Sequence, residues 1–225
     1  VIELGAWSPI ETFGFRGANT WTGDSEKAGN IQIAHQNKQP VSENWDLEGS
    51  YNIENALGAV AAASAIGLNY QCAIRSLATF SGVKRRLEKL GIISGVTIYD
   101  DFAHHPTAIR KTLDIIRSNK SFERKIVVIE VRSNTMLMGL HNESLLESLK
   151  NIDQVYFLQS SEIPNLLESN RLYNHTTMSV LNDPQKLVEN LIQEITSGDG
   201  LIFLSNGDFQ GARELLLEEL EISNN

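Results

Sequence analysis

The sequence predicts an α/β protein in which residues 82–225 build a mainly parallel, doubly wound sheet with helices against it. Three observations carry this prediction. Four short apolar runs, at 96–99, 126–131, 155–158 and 201–204, have the length and continuity of strands buried on both faces. Apolar residues recur at helical spacing between and after them, at 108–117, 143–150, 184–196 and from about 211 to 220. Strands alternating with helices close into a parallel sheet, because each crossover returns the chain to the same edge.

Each element has a local reason. Pro106 suits the first turn of the helix at 108–117, where a missing N–H is no loss, and Asp183-Pro184 joins an N-cap to a first-turn proline. A further strand is expected near 176–180, with 159–183 otherwise ambiguous. Residues 1 to about 50 are rich in Gly, Asn, Gln and Trp and read as short antiparallel strands and turns. Trp7, Trp21 and Trp45 are expected to pack there rather than to stack on a ligand. An Ala-rich helix begins at Asn52 and stops at Gly67, and a second runs 70–80 with Cys72 as a buried thiol. Ser81-Gly82 opens a basic, loop-like segment and is the expected domain boundary.

Composition limits the function. A chain of 225 residues with 41% hydrophobic and 21% charged content has the make-up of a soluble globular protein with one large or two modest domains. No apolar run reaches the length of a membrane span, and the first residues carry neither a basic segment nor a signal-peptide core. With a net charge of −9, a general nucleic-acid binder is excluded, since phosphate neutralisation needs a basic surface. One cysteine allows no internal disulfide, which accords with a reducing cytoplasm. The chain starts at Val1, which leads to the expectation of a fragment.

The polar clusters fall in one place. Asp100–His105 follows the first strand of the sheet, Arg132–Asn134 the second, Gln159–Ser161 the third and Ser205–Asp208 the fourth. In a parallel sheet these loops leave from one edge, where open α/β sheets bind ligands. The residues alone leave three readings open for Asp100, Asp101, His104 and His105: a ligand site, a metal site, or helix capping and turn bonding. Asn52 and Asn55 open a helix, where one Asn serves as a cap and a second is left for another task. Lys84-Arg85-Arg86 is either a solvated basic loop or a set of phosphate ligands. Arg132 at a strand end requires an anionic partner if it is buried.

Four ordered segments then suggest a family. Asp100-Asp101-Phe102-Ala103-His104-His105-Pro106-Thr107 resembles a signature of the Mur ligases, which join amino acids or peptides to UDP-N-acetylmuramate with ATP. Phe80–Glu88 resembles their linker into the C-terminal domain, Asn52–Leu57 their adenine-contacting helix start, and Arg132-Ser133-Asn134-Thr135-Met136 a segment of the tripeptide-joining branch. Ser205-Asn206-Gly207 fits the same branch. Tyr51, Val131, Asp208 and Gln210 depart from the usual pattern.

The resemblance implies residues 1–81 as the tail of a central ATP-binding domain and 82–225 as a Rossmann-like C-terminal domain. It implies Asn52, Asn55, Arg86 and Asp101 as nucleotide contacts, with Asn55 at adenine and Asp101 at the ribose. It implies His104 as the catalytic residue near the phosphates, and Arg132, Ser133, Asn134, Ser205 and Asn206 as peptide contacts. No metal ligand is assigned. The implied reaction uses ATP and Mg2+ to join L-Ala-γ-D-Glu-meso-diaminopimelate to UDP-N-acetylmuramate through an acyl phosphate, in peptidoglycan recycling in the cytoplasm. The partners implied are these small molecules and the missing N-terminal and central domains, with no nucleic acid and no membrane. An L-alanine-adding ligase and a stand-alone nucleotide- or muropeptide-binding module are the alternatives. No G-x-x-x-x-G-K-[ST] phosphate loop occurs in the chain, so the expectation is half a site, inactive alone.

Overall fold

The computed structural model describes residues 5, 8–15, 17–24, 29–36, 38–45, 47, 49–132, 142–159, 171–173 and 175–223. The chain forms two compact units, Val1–Gly82 and Val83–Asn225.

In the N-terminal unit, strands β1 (Phe13–Gly14), β2 (Trp21–Asp24), β3 (Asn30–His35) and β4 (Val41–Asn44) form a sheet in that order. β2, β3 and β4 pair antiparallel as expected, whereas the two-residue β1 runs parallel to β2. Helix α1 (Ser50–Ala65) places Ile53, Leu57 and Val60 at helical spacing against Trp21, Ile31 and Ile33. Gly23 permits the close approach, because a Cβ there would stand 3.0–3.1 Å from Ile53 and Leu57. Trp21 and Trp45 are core residues; Trp7 lies outside the described residues.

Two local expectations are corrected here. The N-cap of α1 is Gly49 at φ 95°, with no side-chain cap, so neither Asn52 nor Asn55 caps the helix. Helix α2 (Tyr70–Leu77) is capped by Asn69, whose Oδ1 accepts from the amides of Gln71 and Cys72. Cys72 is exposed rather than buried, because it sits two residues, about 200° of rotation, from the one buried residue of α2, Ile74.

The C-terminal unit contains β5 (Glu88–Ile93), β6 (Val96–Asp101), α3 (Pro106–Ser118), β7 (Lys125–Val131), α4 (Asn142–Ser148) and β8 (Gln154–Gln159). It continues with β9 (Arg171–Tyr173), β10 (Thr176–Leu181), α5 (Pro184–Glu194), β11 (Gly200–Leu204) and α6 (Ala212–Ser223). The sheet order is β5-β6-β11-β7-β8-β10-β9. The five inner strands are parallel, and β5 and β9 close the edges antiparallel.

Side chains alternate across the sheet as a strand period of two requires. Val127, Ile129, Ile202 and Leu204 face α3 and α4, packing with Ile109, Leu113, Leu145 and Leu149. Ile126, Val128, Leu201 and Phe203 face α5 and α6, packing with Leu187, Leu191, Leu216 and Leu220. Each such fully buried side chain contributes about 1.5–3 kcal/mol, which is why the inner strands tolerate so few polar residues.

β5 falls just after the segment whose sequence predicts a basic loop and which shows no strand pattern. Ser94 and Gly95, at φ 52° and 78°, join β5 to β6 in a two-residue hairpin with positive φ at both positions. Register pairs Leu204 with both Asp101 and Ile129. The ends of β6, β11 and β7 therefore sit side by side.

Candidate functional site

The C-terminal edge of these three strands gathers Arg85, Arg86, Asp100, Asp101, His104, Glu130, Arg132 and Ser205 within one unit. Asp100 and Asp101 are the last two residues of β6, not loop residues, and both are buried. Alternation sends them to different partners. Asp100 Oδ2 accepts from Arg213 Nη1 at 2.6 Å and lies 3.2 Å from Arg85 Nε, an ionic contact without hydrogen-bond geometry. Its Oδ1 is buried with no hydrogen bond among the described residues. Asp101 accepts from the backbone amides of Leu87 at 2.6 Å and Ala103 at 2.7 Å. Burial raises the pKa of both carboxyls above the ordinary carboxylate value; Arg213 and Arg85 oppose the shift at Asp100, and the two amides oppose it at Asp101.

The linker ahead of β5 is shaped by these contacts. Arg85 and Leu87 adopt φ 59° and 48°, in the left-handed region that non-glycine residues rarely enter. Arg85 Nη2 donates to the Ser205 carbonyl at 2.5 Å, and the Arg85 carbonyl accepts from Phe102 N at 2.7 Å. Arg85 is thus committed inward, while Lys84 and Arg86 are exposed. The guanidinium carbon of Arg86 lies 5.6 Å from the centre of the Phe102 ring, and that of Arg85 lies 5.4 Å from it.

His104 and His105 divide two tasks. His105 caps α3, its Nδ1 accepting from Thr107 N at 3.4 Å ahead of Pro106. His104 is half-buried, with Nδ1 2.9 Å from the Phe102 carbonyl. A carbonyl only accepts, so Nδ1 carries the proton and neutral His104 keeps Nε2 as an acceptor.

Glu130, inside β7 and 2% exposed, was missed as a site residue. Its Oε2 accepts from the Ser205 hydroxyl and from Phe209 N at 3.2 Å, and its Oε1 lies 3.5 Å from Arg132 Nη1. Ser205, expected on the binding side, is fully buried, and its Oγ also accepts from Gly207 N at 2.6 Å. Arg132 is half-exposed and has a second acid, Asp208, 3.4 Å from the same Nη1. Its Nε and Nη2 make no hydrogen bond to another described residue. Asn206 is exposed; Ser133, Asn134, Ser160 and Ser161 lie outside the described residues. Asn52 is half-buried and Asn55 exposed on α1 of the other unit.

A lone acid in a buried apolar strand was the available signal for Glu130, because such a charge must be paired. Arg85 and Arg213 gave none, since their partner Asp100 is 15 and 113 residues away. The metal reading of the Asp-Asp-His-His turn is not favoured, because the four side chains address separate partners within the protein. Among the described residues no three His, Cys, Asp or Glu side chains gather to hold a metal ion, and no helix is long and apolar enough to cross a membrane.

The sequence model of one family, described as "Mur ligase, glutamate ligase domain", matches residues 85–207, more than half of the chain and all of the edge just described except Asp208, Phe209 and Arg213. The chain belongs to the Mur ligase family. Among relatives of this Mur ligase chain are the UDP-N-acetylmuramate–L-alanyl-γ-D-glutamyl-meso-2,6-diaminoheptandioate ligases of Haemophilus influenzae and Escherichia coli. The first is 32% identical over 228 residues, covering 98% of this chain and 49% of the relative. The second is 35% identical over 236 residues, covering 97% and 48%. The crystal structure of a murein peptide ligase from Psychrobacter arcticus superposes with a TM-score of 0.69 at 30% identity, covering 97% of this chain and 48% of that one. The Mur ligase chain therefore spans about half the length of the relatives it matches.

Proposed function

We propose that this chain is the acceptor-peptide side of an ATP-dependent ligase that joins L-Ala-γ-D-Glu-meso-diaminopimelate to UDP-N-acetylmuramate in peptidoglycan recycling in the cytoplasm. The observation that carries this reading is Arg132. It stands at a strand end on the ligand-binding edge, one guanidinium nitrogen faces protein acids, and Nε and Nη2, which bond no other described residue, form a planar fork for a carboxylate. The two relatives named for this ligation align over nearly all of the chain, which supports the same substrate class.

In this proposal residues 1–81 are the tail of the central ATP-binding domain and 82–225 the C-terminal domain. Arg86, exposed over Phe102, meets phosphate oxygens. Asp101 offers the ribose the lone pairs that its two amides and the Thr112 side chain leave, and Asn52 and Asn55 contact the nucleotide from α1. His104 offers Nε2 as a proton acceptor. Ser133, Asn134 and Asn206 join Arg132 on the peptide, while Ser205 supports the loop from inside. The muramate carboxylate attacks the γ-phosphate of ATP, giving an acyl phosphate and ADP. The peptide amine then attacks the acyl carbon, expelling phosphate and losing a proton. Mg2+ belongs to the full-length ligase in this reading, and the described residues of this chain gather no acid set suited to it.

Phosphate release by the full-length ligase containing this chain tests the reading. ATP-dependent release is expected with the tripeptide and not with free L-Ala. A preference for free L-Ala would reassign the chain to the L-alanine-adding ligases. The chain alone, lacking a phosphate loop, is expected to release none.

A further inference from the structure

We propose that Glu130 is a positioning residue that sets the direction of Arg132, so that selectivity for the peptide carboxylate is built from inside β7. The proposal rests on the peptide-ligase reading above. Glu130 is fixed on three sides: the Ser205 hydroxyl and Phe209 N hold Oε2, and Oε1 faces Arg132 Nη1 at 3.5 Å. Ser205 is itself anchored, its amide donating to the Asp101 carbonyl at 3.1 Å and its carbonyl accepting from Arg85. A buried carboxylate held this way cannot turn to follow a mobile arginine, so Arg132 must conform to it.

Gly207 makes room for this arrangement. A Cβ there would run into Arg132 Nη1 and Glu130 Oε2 and stand 2.6 Å from Arg132 Cδ. The loop after β11 thus closes over the stem of Arg132 and confines it, while Glu130 takes up the nitrogen that would otherwise swing. Among the described residues nothing bonds Nε and Nη2, and these are the pair that faces the ligand. Asp208, 76% exposed, is a looser second partner and cannot set a direction alone.

Two roles for Glu130 predict opposite signs. If it acts only as a nearby negative charge, removing it favours an incoming carboxylate and tightens peptide binding. If it positions Arg132, removing the charge frees the guanidinium and weakens binding. Glu130→Gln keeps an acceptor for Ser205 and Phe209 and replaces the oxygen facing Arg132 with an uncharged amide NH2.

The test is steady-state kinetics of the full-length ligase with peptide and ATP varied in turn, for Glu130→Gln, Arg132→Ala and the double variant. We expect Glu130→Gln to raise the peptide KM about 3- to 30-fold, within the range of coupling between contacting residues. The ATP KM should hold, and no further loss should follow in the Arg132→Ala background. An unchanged or lower peptide KM would overturn the proposal, as would an equal loss in the double variant, which marks a purely structural role. Gly207→Ala reads the same coupling if Glu130→Gln does not fold: its peptide KM should rise, and the rise should vanish when Arg132 is Ala. If wild type ligates the tripeptide but Arg132→Ala leaves the peptide KM unchanged, positioning fails and the ligase reading stands. If wild type does not ligate the tripeptide, both fail.

Discussion

The two ends of the parallel sheet in Val83–Asn225 both bury acids, but they treat them differently. At the N-terminal ends of β7 and β11, Asp199 is enclosed, with a fully buried side chain. Its oxygens accept from Arg124 Nε at 3.0 Å, Arg124 Nη2 at 2.6 Å and Thr196 N at 2.8 Å. Close by, the Tyr156 hydroxyl donates to Glu194 at 2.5 Å, and the Glu194 carbonyl accepts from Arg124. At the opposite end, among the described residues, Asp100 keeps a buried oxygen without a hydrogen bond, Arg132 keeps two nitrogens without one, and Phe102 is left exposed beneath two arginines. A network that satisfies itself holds a fold together, whereas a network with donors to spare is suited to a ligand. The contrast comes from bond counting alone and needs no motif.

The contrast can be broken in several places. The largest effect is expected at the closed end: Asp199→Ala should destabilise the unit by about 3 kcal/mol, the low side for a broken buried pair, because half-exposed Arg124 can hydrate. Far-UV circular dichroism in urea should follow it, since all three tryptophans precede residue 46 and report only on the other unit. A loss under about 1 kcal/mol would mean that the closed network does not hold this end. At the open end, Arg132→Ala should leave stability within about 0.5 kcal/mol yet weaken peptide binding by about 1.5–3 kcal/mol, roughly 10- to 150-fold in apparent affinity. If the ATP constant moves instead, Arg132 belongs to the nucleotide.

Tyr156→Phe sharpens the comparison more gently, with an expected loss of about 1 kcal/mol for one hydrogen bond. Burial, aided by Glu194, holds the Tyr156 hydroxyl well above its ordinary pKa, so alkaline difference spectra should show a tyrosine ionising above the ordinary range that is lost in Tyr156→Phe. The smallest effect is a pH dependence at the open end. The folded pKa values of Asp100 and Asp101 lie above the unfolded value of 3.8, so the native state binds more protons in between. Their contribution is complete below the unfolded value and is lost as pH rises through the folded values. Urea midpoints taken stepwise upward from about pH 4 should show a decline that Asp100→Asn reduces; an unaltered slope would remove Asp100 as its source.

Much of this was legible because strand and helix periods are local. The inner strands announced themselves as apolar runs, and their order along the chain was enough to put Asp101, Arg132 and Ser205 on one edge. β5 escaped because it is an edge strand with Gly91 beside a register shift and no clean alternation. Ser94-Gly95, directly after it, is the hairpin signal. The parallel pairing of β1, the exposure of Cys72 and the cap at Gly49 escaped because they depend on where a face ends up, not on residue type. The arginines that neutralise Asp100 come from segments distant in sequence. Side-chain pairing across such distances leaves no periodicity to read.

Strand order has a further consequence for how the protein is made. β11 (Gly200–Leu204) leaves the ribosome after every other strand of its sheet, yet it lies between β6 and β7. Until it arrives, those two strands have no partner on the sides that it will fill, and Asp101 has no Ser205 amide to bind its carbonyl. At 5–20 residues per second the roughly 70 residues between β7 and β11 occupy about 4–14 s of synthesis. During that interval two apolar strands with open hydrogen-bonding sides are exposed to other chains. The nascent protein is therefore most vulnerable to aggregation just before its last strand appears, and a chain cut before Gly200 would remain in that condition.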